Sequence, residues 1–449
     1  MATHVIEPQG FGPSKALNNA TVAKKGRILA WAMWDWGTQP FNTVITTFVF
    51  AVYITGSAFG PTNQTSTALS ISTAVAGLLI AALAPVLGQN ADRSGSNVRS
   101  LRILTWVVAA ISASLFFVAP HPAYLWLGLG LLGVGSIVSE IAGVNYNATI
   151  DQVASPKNVG KVSGFGWGMG YLGGILVLLL LYFGLIAPEV GLFGVTNTEA
   201  MDIRVSMIIC GVWTLLFTIP TFLTLRDKPP SGAKVSHGLV GSYRELGRTI
   251  RGLWKTDRTT VYFLLASALF RDGLAGVFAF GAVIAAGTFG FSAGDVVIFG
   301  AVANITAGVA TMLFGLLDDK IGPRAVILTS LFALTVLGVL IFVLHDGGTT
   351  VFWVLGLAMT VFVGPAQSAS RTYLARLIPE GRSGEVFGLY ATTGRVVSFL
   401  SPAAFGLMIA VGALATGREN TQYWGILGIV AVIAAGFFVM LKVRPPARA

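Results

Sequence analysis

Six ionisable side chains interrupt otherwise apolar runs: Asp35, Glu140 and Asp272 against Arg271, Arg371 and Arg395. Inside a bilayer each such group costs about 2.5–3.5 kcal/mol even on the mildest scale, so its default reading is functional. Three acids and three bases can balance in one cavity; the rival reading is a set of buried pairs that fix helix register. Position along the helix sorts them. Asp35 lies 8 residues past Arg27, about 12 Å of rise, and Arg395 lies 10 past Glu385, about 15 Å. Asp272, 14 residues past Arg258, is also deep, although its neighbour Arg271 can neutralise it. Arg371 stands 5 residues before Arg376, so its long side chain is expected to reach the inner interface in a structural or gating role.

Polar residues extend two of these positions into stripes. Asp35, Gln39, Asn42 and Thr46 are spaced 4, 3 and 4 apart, on one helical face, and Ser136, Glu140, Gly143 and Asn147 repeat the pattern. Asn304 adds a polar group further on. Trp34, Trp36, Trp167 and Tyr390 lie near the stripes in sequence and are candidate pocket walls, with ordinary packing as the alternative. A pocket with both signs of charge suits a zwitterion: an acid for the amine, and the planar fork of Arg395 for a carboxylate. A membrane carboxylate can also carry a proton.

Long apolar elements must hold these groups. Of 449 residues, 54% are hydrophobic and 11% charged, too few charges to cover a soluble globule of this length. Apolar runs fall at 28–54, 67–88, 101–119, 122–146, 162–187 and 203–225, then at 259–286, 293–316, 325–344, 351–372, 386–412 and 423–441. Each is long enough to cross a bilayer as a helix and too continuous for a strand of an outer-membrane barrel. With the N-terminus inside, 24 of the 29 Lys and Arg fall in inner segments and 2 in outer loops. That bias puts both termini in the cytoplasm and explains the net charge of +10 without nucleic acid. The single cysteine, Cys210, excludes an internal disulfide, and no spacing of His or Cys suggests a metal or cofactor. Gly128-Leu-Gly130-Leu-Leu-Gly133 matches a dinucleotide pattern by letter, but no strand precedes it, so it is rejected as a cofactor site.

The chain repeats itself. Gly88, Asp92 and Gly95 recur 227 residues later as Gly315, Asp319 and Gly322. Gly160, Gly164 and Gly170 recur 224 residues later as Gly384, Gly388 and Gly394. A parallel six-plus-six duplication follows: tail 1–26, bundle 27–225, basic linker 226–258, bundle 259–443 and tail 444–449. Within the linker, Leu239, Tyr243, Leu246, Ile250 and Leu253 share one face, which reads as an amphipathic helix on the inner leaflet.

Gly88-Gln-Asn-Ala-Asp92-Arg93-Ser-Gly95 and Gly315-Leu-Leu-Asp-Asp319-Lys320-Ile-Gly322 both resemble the loop motif of the major facilitator superfamily. The Asp of each is placed to bind the positive N-terminal end of a helix from the other half, a latch that yields when the halves rock. Arg371 and Glu385 are grouped with this gate. Gly166, Gly170 and Gly174 form a small-residue face on the fifth run, partly similar to the superfamily's antiporter motif, with packing as the simpler reading. Closer still, Trp31-Ala-Met-Trp34-Asp35-Trp36-Gly37, Asn145-Tyr146-Asn147-Ala148, Ser370-Arg371, Ile378-Pro379 and Glu385-Val-Phe387-Gly388-Leu-Tyr390 resemble the subfamily of fungal autophagy-related vacuolar amino-acid effluxers and their bacterial relatives.

The resemblance implies an all-α membrane protein of twelve transmembrane helices in two pseudo-symmetric six-helix bundles. It implies a monomeric secondary transporter in the bacterial inner membrane, not an enzyme, in contact with lipid, a small-molecule substrate and protons. An amino acid or small peptide is the first substrate, and export the first direction. A sugar, an amphiphilic drug or a lipid fits the same fold, and a substrate-sensing receptor or a channel is the alternative of another class.

Overall fold

The computed structural model describes residues 24–229, 258–378, 383–417 and 421–444, with isolated positions between 241 and 255. Apart from those positions, the expected amphipathic helix lies outside the described residues, as does the chain before Lys24. Among the described residues the fold is helical, with one isolated bridge between Val190 and Thr196.

The helices are α1 (Lys25–Pro40), α2 (Phe50–Ile54), α3 (Thr62–Ser94), α4 (Asn97–Ser114), α5 (Leu125–Ala148), α6 (Val159–Leu181) and α7 (Met201–Thr224). Beyond the linker come α8 (Arg258–Gly287), α9 (Ala293–Ile321), α10 (Pro323–Val343), α11 (Gly348–Leu377), α12 (Ser383–Val397), α13 (Leu400–Thr416) and α14 (Trp424–Leu441). Eleven helical stretches among the described residues are long and apolar enough to cross a membrane. The expected run 28–54 is not one of them, because it is broken into α1, a π-helical segment Phe41–Phe48, and α2. Pro40 supplies the reason. It has no N–H to give the carbonyl of Trp36. The indole N–H of Trp213 donates to that carbonyl instead, at 3.4 Å. Beyond Pro40 the turns widen, and the hydroxyls of Thr46 and Thr47 both donate to the Asn42 carbonyl, at 2.7 and 2.8 Å.

The packing repeats with the sequence. In the first half α1 packs on α6 and α7, α4 on α5 and α7, and α3 on α5. In the second, α8 packs on α12 and α14, α10 on α11 and α14, and α9 on α11. These are the same pairs when α1 corresponds to α8, α3 to α9, α4 to α10, α5 to α11, α6 to α12 and α7 to α14. The halves meet symmetrically, α6 crossing to α9 and α11 while α12 crosses to α3 and α5.

The repeated glycines allow these crossings. A Cβ on Gly164 would stand 2.6 Å from the Thr311 carbonyl oxygen and 2.8 Å from the Gly315 Cα. One on Gly388 would stand 2.7 Å from the Ala84 carbonyl oxygen. The third glycine of each triad admits a polar side chain instead: a Cβ on Gly170 would stand 2.9 Å from Gln39 Nε2, and one on Gly394 3.0 Å from Arg271 Nη1. Gly166, Gly170 and Gly174 all face α1 or the segment after it, so α6 carries one glycine face for its own half and another for α9.

Candidate functional site

A cavity of about 490 Å³ lies between the halves. Both stripes reach it: Asp35, Gln39, Asn42 and Thr46 from α1 and the π-helical segment after it, and Ser136, Glu140, Gly143 and Asn147 from α5. Trp34, Trp167, Tyr390, Arg271, Arg371 and Arg395 also line it.

Aromatic stacking positions the first acid. Tyr146 is held between Trp31 and Trp34, with ring centroids at 4.4 and 4.2 Å. The two indoles are anchored in turn, Trp31 donating to Thr149 Oγ1 at 3.1 Å and Trp34 to Thr105 Oγ1 at 2.9 Å. So fixed, the Tyr146 hydroxyl donates to Asp35 Oδ2 at 2.8 Å.

Arg371 corrects an expectation. Its side chain does not run to the interface; it is buried and lies 3.6 Å from Asp35 Oδ2. Three polar groups hold it inward. Nε donates to Ser163 Oγ at 2.9 Å, Nη2 to the Ser163 carbonyl at 2.7 Å and Nη1 to Asn147 Oδ1 at 3.2 Å. Trp31, Tyr146 and Trp167 present their rings to the guanidinium at 5.1–5.8 Å. It is Arg376, one and a half turns later, that serves the end of the helix, 3.6 and 3.4 Å from Asp318 and Asp319.

A second ion pair crosses the halves. Arg395 Nη2 donates to Glu140 Oε2 at 2.6 Å. Arg271 donates to the Tyr390 carbonyl at 2.9 Å and lies over the Tyr390 ring at 3.9 Å.

Asp272 does not join them. It points away from the cavity, accepts the backbone N–H of Ser401 at 2.6 Å, and so holds the start of α13 where the span breaks. A carboxylate at a helix N-terminus is favoured by the helix dipole. Adjacent residues on a helix face different ways, so Asp272 and Arg271 part company. Asn304 is also elsewhere, beside a second cavity of about 420 Å³ among Phe278, Phe299 and Met359, where it donates to the Gly300 carbonyl at 2.8 Å. Trp36 packs on Trp213 and Phe217 rather than lining the cavity.

The expected gate residues meet helix ends from the opposite half, twice. Asp92 accepts the N–H groups of Gly384 and Glu385 at 2.9 Å each, in the first turn of α12. Asp319 accepts those of Gly160 and Lys161 at 2.7 and 2.9 Å, in the first turn of α6. Gly88 touches the backbone of Gly384, and Gly315 that of Gly160, so a side chain at any of the four would part the helices. Gly95 and Gly322 end α3 and α9 with φ of +67° and +90°, a conformation that favours glycine. Arg93 and Lys320 occupy the last turns of those helices.

This cavity, the two Asp-to-helix contacts and the repeated packing are set out by residues spread through most of the chain. A sequence profile described as vacuole effluxer Atg22 like matches residues 50–445. The chain belongs to that family. The Atg22-like chain is 26% identical over 419 residues to the uncharacterized MFS-type transporter YxiO of Bacillus subtilis, covering 91% of this chain and 94% of that one. It is 28% identical over 265 residues to autophagy-related protein 22 of Cryptococcus neoformans, covering 55% of this chain and 47% of the fungal one. Thus it spans about half the length of that fungal relative. Among solved structures it superposes on a bacterial homologue of the iron transporter ferroportin in an outward-facing state, with a TM-score of 0.68 at 15% identity, covering 93% of this chain and 98% of that one. It also superposes on the proton:xylose symporter XylE, with a TM-score of 0.67 at 14% identity, covering 94% and 95%. At such identities the likeness is one of fold, and the fold is that of the major facilitator superfamily. This Atg22-like protein is an integral membrane transporter of the major facilitator type, and its relatives are transporters rather than enzymes.

Tyr146, Ser163 and Gln367 complete the site without having been named for it. Tyr146 sits in the Asn-Tyr-Asn-Ala segment that carried the family resemblance, and that was its available signal. Ser163 had none: a serine in a glycine-rich apolar run reads as packing.

Proposed function

We propose that this protein is a proton-coupled secondary transporter that exports a small polar or zwitterionic solute, an amino acid or small peptide first, by alternating access. The proposal includes twelve spans, the broken segment Lys25–Ile54 being the first. It includes bundles at 27–225 and 259–443, both termini in the cytoplasm of a bacterial inner membrane, and a monomeric working unit. The lopsided distribution of Lys and Arg supports the orientation.

One observation carries the reading: a charged cavity between two repeat-related halves that are joined by ion pairs and by twin latches. The Asp35–Arg371 and Glu140–Arg395 pairs both cross from one half to the other. The latches at Asp92 and Asp319 hold the halves together at the end that carries the basic loops. Rocking must break the latches and rearrange the pairs. Protonating Asp35 removes its attraction for Arg371, so the group that carries the proton is also a tie between the halves. That links proton binding to the conformational step with no further device.

Reconstitution tests it. Purified protein in liposomes preloaded with an unlabelled solute should show saturable counterflow of the labelled solute, and a proton gradient should drive accumulation. Absence of counterflow across amino acids, small peptides, organic acids and sugars overturns the proposal.

A further inference from the structure

We infer that Arg271, mounted on the ring of Tyr390, is the anion subsite of the cavity, and that the transported solute carries one net negative charge. This rests on the transport reading above and narrows its substrate from polar and zwitterionic solutes in general to those with a net negative charge, such as an acidic amino acid.

Among the described residues, the charged ones that line the cavity are Asp35, Glu140, Arg271, Arg371 and Arg395, three cations against two carboxylates. The third acid, Asp272, is turned away onto the backbone of Ser401. Both cavity carboxylates are engaged. Asp35 faces Arg371 and Tyr146, and Glu140 contacts Arg395 at 2.6 Å. Among the described residues no carboxylate lies within 4 Å of Arg271. With Asp35 ionised, one positive charge is left over: Glu140 attracts Arg271 as well as Arg395 but cannot balance both, and the surplus lines the cavity.

Its mounting suits a binding group. Tyr390 supports the guanidinium face at 3.9 Å, and its carbonyl takes a single N–H from Nη1 at 2.9 Å. The Tyr390 hydroxyl is 2.7 Å from Ser370 Oγ, which fixes the ring. Gly394 leaves room for the side chain to pass. Guanidinium has five N–H donors in a rigid fork, and among the described residues one of them has an acceptor. A carboxylate meets such a fork with two parallel bonds. Arg395 is the poorer candidate, because a substrate would first have to displace Glu140.

An unbalanced charge in a partly buried site is costly, so the solute that restores balance gains most. The rest of the lining is neutral and hydrogen-bonding: Gln39, Asn42, Ser136, Ser139 and Gln367. These suit the hydroxyl or amide groups of a small organic anion.

The test uses the full-length protein with two near-isosteric pairs, glutamate against glutamine and lactate against alanine, read by ligand-induced thermal shift and by liposome counterflow. In the unsubstituted protein the anion of a bound pair should bind about tenfold or more tightly than its neutral partner, the scale of a charge-assisted pair. Arg271→Gln should erase that preference, and Arg271→Lys should keep part of it. Glu140→Gln frees Arg395 and adds a second surplus charge, so it should shift preference toward dianions even if Arg271 variants fold poorly. A neutral or cationic solute bound best by the unsubstituted protein overturns the inference, as does an anion preference that survives Arg271→Gln. Transport indifferent to solute charge overturns this inference alone, whereas no counterflow with any solute overturns the transport reading as well.

Discussion

Asp35 and Arg371 face each other at 3.6 Å across the boundary between the halves, and Tyr146 donates to the same carboxylate oxygen at 2.8 Å. The two side chains are 12% and 4% exposed, so solvent screens them little. Removing one partner of such a buried pair costs about 3–5 kcal/mol. Asp35→Asn should therefore lower the unfolding temperature and abolish proton-driven accumulation. Asp35→Asn combined with Arg371→Gln should lose less stability than the two single losses added together. Thermal unfolding in detergent checks this, and additive losses would show that the pair is not coupled.

Tyr146→Phe keeps the stacking between Trp31 and Trp34 and removes only the hydroxyl. A hydrogen bond to a charged group contributes about 1.5–3 kcal/mol. The variant should fold, lose roughly that much stability, and shift the pH dependence of uptake. Tyr146→Ala should lose considerably more, because the sandwich goes too. Equal losses from the two variants would refute the separate role of the hydroxyl.

The latches make a conformational prediction. Each charge–dipole contact is worth roughly 0.3–2 kcal/mol. Asp92→Asn and Asp319→Asn should each move the protein toward the state open at the basic end and slow transport. Solute affinity in a locked state should barely change. Spin-label distances across that end would report the shift, and an unaltered distribution with normal transport rates would dismiss the latch.

Glycine contacts give a steric version of the same test. Gly164→Ala places a methyl group 2.6 Å from the Thr311 carbonyl oxygen, whereas Gly130 has nothing within 4 Å. Gly164→Ala should lower transport sharply and separate α6 from α9, and Gly130→Ala should be neutral. Equal behaviour of the two would mean that the α6–α9 crossing has slack.

Topology is open to labelling. Cys210 is buried, so introduced cysteines report cleanly. Cysteine at Thr62 or Gly347 should react with an impermeant reagent from outside, and cysteine at Ser96 only after permeabilisation. The opposite pattern reverses the orientation.

The sequence by itself carried the layout. Apolar runs marked nearly every span, since a helix must be about 20 apolar residues long to cross a bilayer. Two motif offsets revealed the duplication. Helical spacing alone put Asp35, Gln39 and Asn42 on one face, and Glu140 on another, because side-chain direction along a helix is fixed by the 3.6-residue period. Tertiary structure decided the pairings. Asp272 looked equivalent to Asp35 by depth, yet it faces the broken end of α13, a partner 129 residues away. Arg371 looked peripheral, yet Ser163 and Asn147 draw it inward from 208 and 224 residues away. Helical periodicity fixes the direction in which a side chain leaves its own helix, but which helix it meets depends on how the two halves are docked, and no local pattern encodes that.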